Sequence, residues 1–125
     1  MATSIGKTSQ PRASWKGFKP YRVFLDDKRN PPVMAKTDWI ICRSLTEFQE
    51  AVKERGIPEF VGYDSDLGDK EKGAQCADWL WDWCGRHGYD FPRWGVHSSG
   101  PDAVALKGKL LREFSGQYFP DGYER

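Results

Sequence analysis

The sequence contains no apolar run that approaches the ~20 residues of a membrane-spanning helix. Its first residues also lack the apolar block of a signal peptide, so we expect a cytoplasmic protein that does not bind membranes. Cysteine is scarce: Cys42, Cys76 and Cys84 form no Cys-x-x-Cys pair, and each lies in an apolar stretch. This spacing predicts buried free thiols and argues against a disulfide or a zinc site.

Acidic side chains are missing from residues 1–20, which contain four basic ones. Residues 21–125 hold 15 basic and 18 acidic side chains, so a basic segment precedes a mildly acidic body. Because Ser, Thr, Gly and Pro dominate its start, we predict that 1–20 is a flexible arm. Two interpretations of this arm are left open: it contacts nucleic acid or an acidic protein surface, or it is a solvated tail without a binding role. Residues 115–125 show no helical or strand period and are predicted to form a loose tail.

Short apolar runs alternate with amphipathic segments between residues 21 and 114, which predicts a single α/β domain. Ser44-Leu45-Thr46-Glu47 has the form of a capping box and starts a helix that ends near Gly56. Further helices are predicted from Gly73 to about Arg86 and from Asp102 to about Phe114. Four short runs have the composition of buried parallel strands: Tyr21–Leu25, Trp39–Cys42, the run that ends at Tyr63, and Pro92–Val96.

Helical spacing also predicts which side chains of the last two helices pack inward. On the helix from Gly73 the predicted inward face is Ala74, Ala77, Leu80, Trp81 and Cys84. On the last helix the candidates are Ala103, Val104, Leu106, Leu110, Leu111 and Phe114. Ser99 is predicted to cap that last helix, with Asp102 as the answering residue of a capping box.

Right-handed crossovers predict the strand order 2-1-3-4, in which the direction of winding reverses between the first and third strands. Ligands of open α/β sheets bind at such a switch point, beyond the carboxyl ends of the strands. Polar side chains follow the strands there: Asp26 and Asp27 after the first, Asp64 and Asp66 after the third, His97 and Ser98 after the fourth.

Four carboxylates at close range repel one another by several kcal/mol unless a cation lies among them, so the sequence predicts Mg²⁺ or Mn²⁺ at this edge. A helix that starts near Ser99 would offer an adjacent site for an anion, which together with a metal favours a phosphate ligand. Asp-x-Asp-x-Gly is also a common turn composition, and that purely structural interpretation of Asp64 and Asp66 remains open.

The three polar segments resemble the motifs of a known family. They are Leu25-Asp26-Asp27-Lys28-Arg29-Asn30-Pro31-Pro32, Asp64-Ser65-Asp66-Leu67-Gly68 and His97-Ser98-Ser99-Gly100-Pro101. In this order they are similar to the cyclic-phosphate-processing receiver-like family, related to the receiver domains of bacterial response regulators. The resemblance covers about residues 21–114 and implies a receiver-like, flavodoxin-like three-layer fold. Two positions depart from the family pattern: Ser65 stands where the family has His, and Gly100 where it has Asn.

The resemblance implies a metal-dependent phosphoesterase that acts on the cyclic phosphate ends of RNA or on a nucleotide. The metal would be held by Asp26, Asp27, Asp64 and Asp66. Catalysis would depend on Asp64 and on His97 as general acid or base. Substrate phosphate would be bound by Arg29, Ser98 and Ser99.

Two alternatives accompany this hypothesis. Phospho-acceptance at Asp64, as in signalling receivers, is disfavoured because no fifth strand with its Lys follows the last helix. A catalytically reduced binding protein, for instance a small phage or bacterial regulator that engages a protein, is favoured by Ser65, Gly100 and six tryptophans. The sequence does not indicate an oligomeric state.

Overall fold

A computed structural model of the protein describes residues 20–31, 38–68 and 70–114. Residues 1–19 of the predicted arm and the predicted tail, 115–125, lie outside these ranges. The described elements are β1 (Tyr21–Leu25), β2 (Asp38–Cys42), α1 (Leu45–Arg55), β3 (Phe60–Tyr63), β4 (Asp66–Gly68), β5 (Glu71–Lys72), α2 (Gly73–His87), β6 (Arg93–Val96) and α3 (Pro101–Glu113). None of the described helices is long and apolar enough to cross a membrane.

The main sheet contains four parallel strands in the order β2-β1-β3-β6 and is flanked by helices. Since β6 is the fourth strand of this sheet in chain order, the predicted order 2-1-3-4 and the receiver-like α/β class are confirmed. The order reverses between β1 and β3, because the chain first adds β2 on one side of β1 and then returns to add β3 on the other.

A contiguous apolar core joins the sheet to the described helices. Alternate strand positions such as Val23, Leu25, Val61 and Tyr63 enter this core, because successive side chains of a strand point to opposite faces. The helices contribute Phe48, Ala51, Val52, Cys76, Ala77, Leu80, Cys84, Leu106 and Leu110. All three cysteines are free and buried, as predicted. Burial raises the pKa of the Cys42 thiol to about 12, so it stays protonated and unreactive.

The ends of α1 follow the sequence signals closely. Ser44 caps the helix by accepting a hydrogen bond from the Glu47 N–H at 3.1 Å, and Gly56 closes it at φ 93°. The Glu47 carboxylate accepts from the Arg43 N–H at 2.7 Å and not from Ser44. The Glu47 carboxylate therefore binds the N–H one residue before the N-cap, whereas a capping box requires the N–H of the N-cap itself.

The inward face predicted for α2 was wrong in part. The buried positions are Gly73, Cys76, Ala77, Leu80 and Cys84, which follow the 3.6-residue period more closely than the predicted set. Trp81 is 40% exposed, because it lies about 100° around the helix from Leu80. Its ring packs against Phe91 and Phe114 instead.

The start and outer face of α3 also differ from the prediction. Gly100, at φ 94°, is the N-cap and makes no side-chain capping bond, so neither Ser99 nor Asp102 forms the expected capping box. Pro101 occupies the first turn, where its missing N–H is no loss. Ala103, Leu106 and Leu110 are buried as expected, but Val104 and Leu111 are 69% and 58% exposed because they face away from the sheet.

The acidic segment after β3 contains a short antiparallel hairpin, β4–β5, where the sequence predicted no strand. Directly after it, Gly73 brings the start of α2 onto the backbone of Asp64. The Gly73 N–H donates to the Ser65 carbonyl at 3.2 Å, and a Cβ at Gly73 would collide with the Asp64 carbonyl oxygen. Glycine is therefore required here by the close approach of two backbones.

Gly73→Ala should destabilise the fold by about 1–3 kcal/mol, because the added methyl group pushes against the Asp64 main chain. Gly85→Ala, on the exposed side of the same helix with nothing within 4 Å of the new methyl group, should stabilise it by about 0.5–1 kcal/mol. Urea unfolding of both variants measures the difference. Equal stability of the two variants would contradict the described packing of α2 on Asp64.

Candidate functional site

Main-chain hydrogen bonds continue one residue beyond the parallel strands and fix the site. The N–H of Asp26 donates to the Cys42 carbonyl at 3.1 Å, that of Asp64 to Leu25 at 3.0 Å, and that of His97 to Tyr63 at 3.0 Å. Because these bonds extend the sheet ladder, the three residues stand side by side at its carboxyl edge. Their positions are set by the sheet and not by a loose loop.

The side chains of Asp26, Asp64 and His97 converge at this edge. One ligand atom from each can be chosen so that all three atoms lie within 4.8 Å of one another. Asp26 is 1% and Asp64 7% exposed, so both carboxylates are buried against the end of the sheet. The three groups form a cluster that could hold a metal ion.

The Asp26 carboxylate receives four hydrogen bonds. Its Oδ1 accepts from the main-chain N–H groups of Lys28 and Arg29, both at 2.8 Å. Its Oδ2 accepts from Arg29 Nε at 2.9 Å and contacts His97 Nε2 at 3.1 Å. Burial acts to raise the pKa of the Asp26 carboxyl, but these donors outweigh it and hold the pKa below its ordinary value. Asp26 is therefore a stabilised anion.

Asp64 has weaker partners. Its Oδ1 accepts from the Asp66 N–H at 3.5 Å, and its Oδ2 lies 3.7 Å from Arg29 Nη2. Burial and the neighbouring Asp26 charge raise the pKa of the Asp64 carboxyl against the opposing effect of that N–H, His97 and Arg29. Of the two carboxylates, Asp64 is thus the one whose negative charge is less well stabilised by hydrogen-bond donors.

His97 is held in one orientation. Its ring stacks on Phe24 with centroids 4.2 Å apart and planes 10° from parallel. Because the ionised Asp26 carboxylate only accepts, the 3.1 Å contact assigns the ring proton to Nε2. Nδ1 is buried near Gly62 and has no hydrogen-bond partner within 20–31, 38–68 and 70–114. Burial lowers the pKa of His97 in spite of the two carboxylates, so the ring is neutral at neutral pH.

Asp27 and Asp66 line the mouth of the same cleft, which encloses about 370 Å³. Asp27 Oδ2 lies so near Gly68 that a Cβ there would come within 3.1 Å of it. The Asp66 carboxylate accepts from the Gly68 N–H at 2.9 Å and pairs with Lys72 at 3.4 Å. The structure therefore places both acids beside the cluster of Asp26, Asp64 and His97, but not within it.

The predicted phosphate-binding residues lie in different surroundings. Arg29 sits in the cleft on Asp26. Ser98 Oγ accepts from the Ser65 N–H at 3.0 Å and donates to Ser65 Oγ at 3.2 Å, so it ties the loop after β6 to the loop after β3. Ser99 is exposed before the Gly100 cap. Ser65 thus serves as the partner of Ser98.

Sequence reasoning missed Arg43, which braces the loop after β1. Its Nη1 donates to the carbonyls of Asp26 at 3.2 Å and Arg29 at 2.6 Å, and its Nη2 donates to Asn30 Oδ1 at 2.8 Å. Only the pairing of β2 with β1 brings Arg43 to this loop. The one sequence signal was its position directly after a predicted strand.

A comparison with protein families matches residues 21–113 to the model described as cyclic-phosphate processing receiver domain. The chain belongs to this family. The match begins with the first residue of β1 and ends with the last residue of α3, so it contains every element that supplies a residue to the cleft.

No curated protein matches the chain. A solved fusion protein that carries a yeast Spc42 trimeric coiled coil is similar at 15% identity and a TM-score of 0.49, covering 85% of this chain and 70% of that one.

The chemistry of the donors fits a hard divalent cation. Asp26 and Asp64 are buried carboxylates on a rigid sheet edge, and oxygen ligands of this kind suit Mg²⁺ and Mn²⁺. Ligation through His97 Nε2 would move the ring proton to Nδ1, which has no acceptor in the described chain. Because Nδ1 has no partner within the described residues in either tautomer, the cost of ligation through Nε2 is the loss of its hydrogen bond to Asp26. The two carboxylates therefore fit the cation better than the imidazole does.

Asp26→Asn and Asp64→Asn should change stability in opposite directions in EDTA at neutral pH. Asp26→Asn loses charge-assisted hydrogen bonds and should cost about 1.5–3 kcal/mol. Asp64→Asn removes the repelling charge and should raise the free energy of unfolding. Because the pKa of Asp64 is raised in the folded state, its penalty grows as pH rises through the ordinary value of 3.8 and is absent below it.

Urea unfolding in EDTA at pH 7 and at pH 3 measures both effects. The gain in Asp64→Asn should vanish at the lower pH. A loss of stability in Asp64→Asn at pH 7 would show that this carboxylate is a satisfied turn residue.

Proposed function

We propose that the protein is a metal-dependent phosphoesterase that opens cyclic phosphates at the ends of RNA or on a nucleotide. The observation that carries this proposal is the convergence of the buried Asp26 and Asp64 carboxylates beneath an Arg29 guanidinium. Membership in the cyclic-phosphate processing family supports the substrate class. A cation and a guanidinium together suit the charge of a phosphodiester, which develops further in the transition state.

Asp26 and Asp64 would hold Mg²⁺ or Mn²⁺, with Asp27 and Asp66 beside them at the mouth of the cleft. When bound, the cation would act as a Lewis acid on a phosphoryl oxygen. Arg29 would contact another phosphoryl oxygen, since guanidinium forms directed hydrogen bonds to phosphate. Ser98 and Ser99 remain predicted phosphate ligands, and Ser98 would have to leave Ser65 to serve as one.

His97 is given a positioning role in this proposal. A general acid needs a protonated ring, but the lowered pKa of His97 keeps the ring neutral. A general base needs a free lone pair in the cleft, but the unprotonated Nδ1 is buried near Gly62. Its Nε2–H instead donates to Asp26 Oδ2 and orients the carboxylate, as outer partners of metal ligands commonly do.

The alternative of a binding protein is favoured by one observation, the exposure of Trp81 on α2. Large aromatic side chains are enriched at the centres of protein interfaces. In that case the acidic cluster would be a remnant. Millimolar Mg²⁺ or Mn²⁺ would then leave the melting temperature unchanged, whereas a ligand that binds only the folded state must raise it.

The activity test uses a short RNA that ends in a 2′,3′-cyclic phosphate. Water should break one ester bond of the ring in the presence of Mn²⁺ or Mg²⁺, giving a phosphomonoester, and EDTA should stop the reaction. Asp64→Asn should lower the rate by about 100-fold or more. Asp82→Asn is the matched control, because Asp82 is exposed on α2 and pairs only with Arg86 at the surface among the described residues.

Ring opening that is equally fast in EDTA would contradict a metal-dependent phosphoesterase. Full activity of Asp64→Asn would contradict the assignment of the site.

A further inference from the structure

The Arg29 guanidinium contacts both buried carboxylates of the site. Its Nε lies 2.9 Å from Asp26 Oδ2, and its Nη2 lies 3.7 Å from Asp64 Oδ2. The carboxylate side chains are 1% and 10% exposed, whereas the Arg29 side chain is 56% exposed. The guanidinium thus covers two buried charges from the solvent side.

The oxygens that face Arg29 are those that a metal could reach. Asp26 Oδ1 is bound by two main-chain N–H groups and cannot exchange them without unfolding the loop. Asp26 Oδ2 is bound by two side chains, His97 and Arg29. Arg29 is the more exposed of these two and the one that can leave. A cation held by Asp26 Oδ2 would therefore compete with the guanidinium for that oxygen.

The backbone of Arg29 is held by hydrogen bonds that do not involve its guanidinium. Its N–H donates to Asp26 Oδ1 at 2.8 Å, and its carbonyl accepts from Arg43 Nη1 at 2.6 Å. A displaced guanidinium would consequently remain at the rim of the cleft. There it would face a cation that had neutralised its former carboxylate partners, and like charges disfavour that arrangement unless an anion joins them.

We propose that Arg29 is a built-in counter-ion that a divalent cation displaces, and that the displaced guanidinium then binds a phosphoryl group. This inference rests on the proposed metal-dependent function. Metal and phosphate should therefore bind cooperatively, because the metal frees the group that binds phosphate and, by linkage, phosphate favours the state that binds metal. Without metal, Arg29 offsets one of the two carboxylate charges, and its guanidinium stays on Asp26 and away from phosphate.

The test measures Mn²⁺ binding by calorimetry in wild type, Arg29→Gln and Lys28→Gln, with and without inorganic phosphate. Lys28 is the matched control, because it lines the same cleft and carries the same charge. Without phosphate, Arg29→Gln should bind Mn²⁺ about tenfold more tightly than wild type, since the competitor is gone. Phosphate should tighten Mn²⁺ binding about fivefold or more in wild type and in Lys28→Gln, and hardly at all in Arg29→Gln.

Arg29→Lys provides a second variant, because it keeps the charge and is the smaller change to the fold. Its compact ammonium cannot span both carboxylates as a guanidinium does, so Mn²⁺ affinity should lie between those of wild type and Arg29→Gln. Melting temperatures in EDTA check that each variant is folded. Arg29→Gln should melt below wild type in EDTA and gain more from Mn²⁺.

The outcomes separate this inference from the proposed function. Weaker Mn²⁺ binding in Arg29→Gln would show that Arg29 only supports the loop. Equal tightening in Arg29→Gln and Lys28→Gln would show a general effect of charge, and either result overturns the inference alone. Absence of Mn²⁺ binding in wild type and in all three variants would overturn the proposed function as well.

Discussion

The buried carboxylate of Asp26 is the interaction on which the site depends. It directly follows β1, receives four hydrogen bonds, and connects the loop after β1 to His97, the residue after β6. A buried anion without such donors would cost several kcal/mol, so the loop, Arg29 and the imidazole are held in the geometry that satisfies it. Arg43 then braces the same loop from the end of β2.

The adjacent Asp64 carboxylate is less well stabilised than that of Asp26. Burial acts to raise the pKa of both carboxyls, but hydrogen-bond donors outweigh it at Asp26, whereas at Asp64 the negative charge of Asp26 adds to it. The two pKa values therefore move in opposite directions although the residues follow neighbouring strands. Perturbed titration of paired acids in a cleft is typical of functional sites. Arg29 offsets part of this repulsion, because its guanidinium reaches both carboxylates.

Much of the fold followed from local sequence signals. The apolar runs that end at Asp26 and Asp64, the Ser44 cap and the handedness of crossovers are enough to predict the parallel sheet and its order. One of the wrong predictions concerns a helix residue that lies at the border between the buried and the exposed face. On α2 Trp81 was assigned to the buried face, whereas Cys76 is buried there and Trp81 is 40% exposed, in better agreement with the 3.6-residue period.

The convergence of Asp26, Asp64 and His97 was also predictable, because parallel strands of equal register end at one edge. The contacts that surround these three side chains were not predictable from the sequence. The contact of Gly73 with Asp64, the reach of Arg43 to Arg29, and the proton position of His97 join residues far apart in the chain. No spacing rule expresses such contacts, since they depend on three-dimensional packing and on competition among donors.

A crystal structure of the protein with Mn²⁺ tests the central claim, that Asp26 and Asp64 are the ligands of a divalent cation. Anomalous scattering should show an ion at roughly 2.0–2.6 Å from an oxygen of each carboxylate, where hard cations bind. The Arg29 guanidinium should have moved off Asp26, and His97 Nε2 should still donate to Asp26 Oδ2. An ion bound elsewhere, or an Arg29 that still covers both carboxylates at saturating Mn²⁺, would contradict the account.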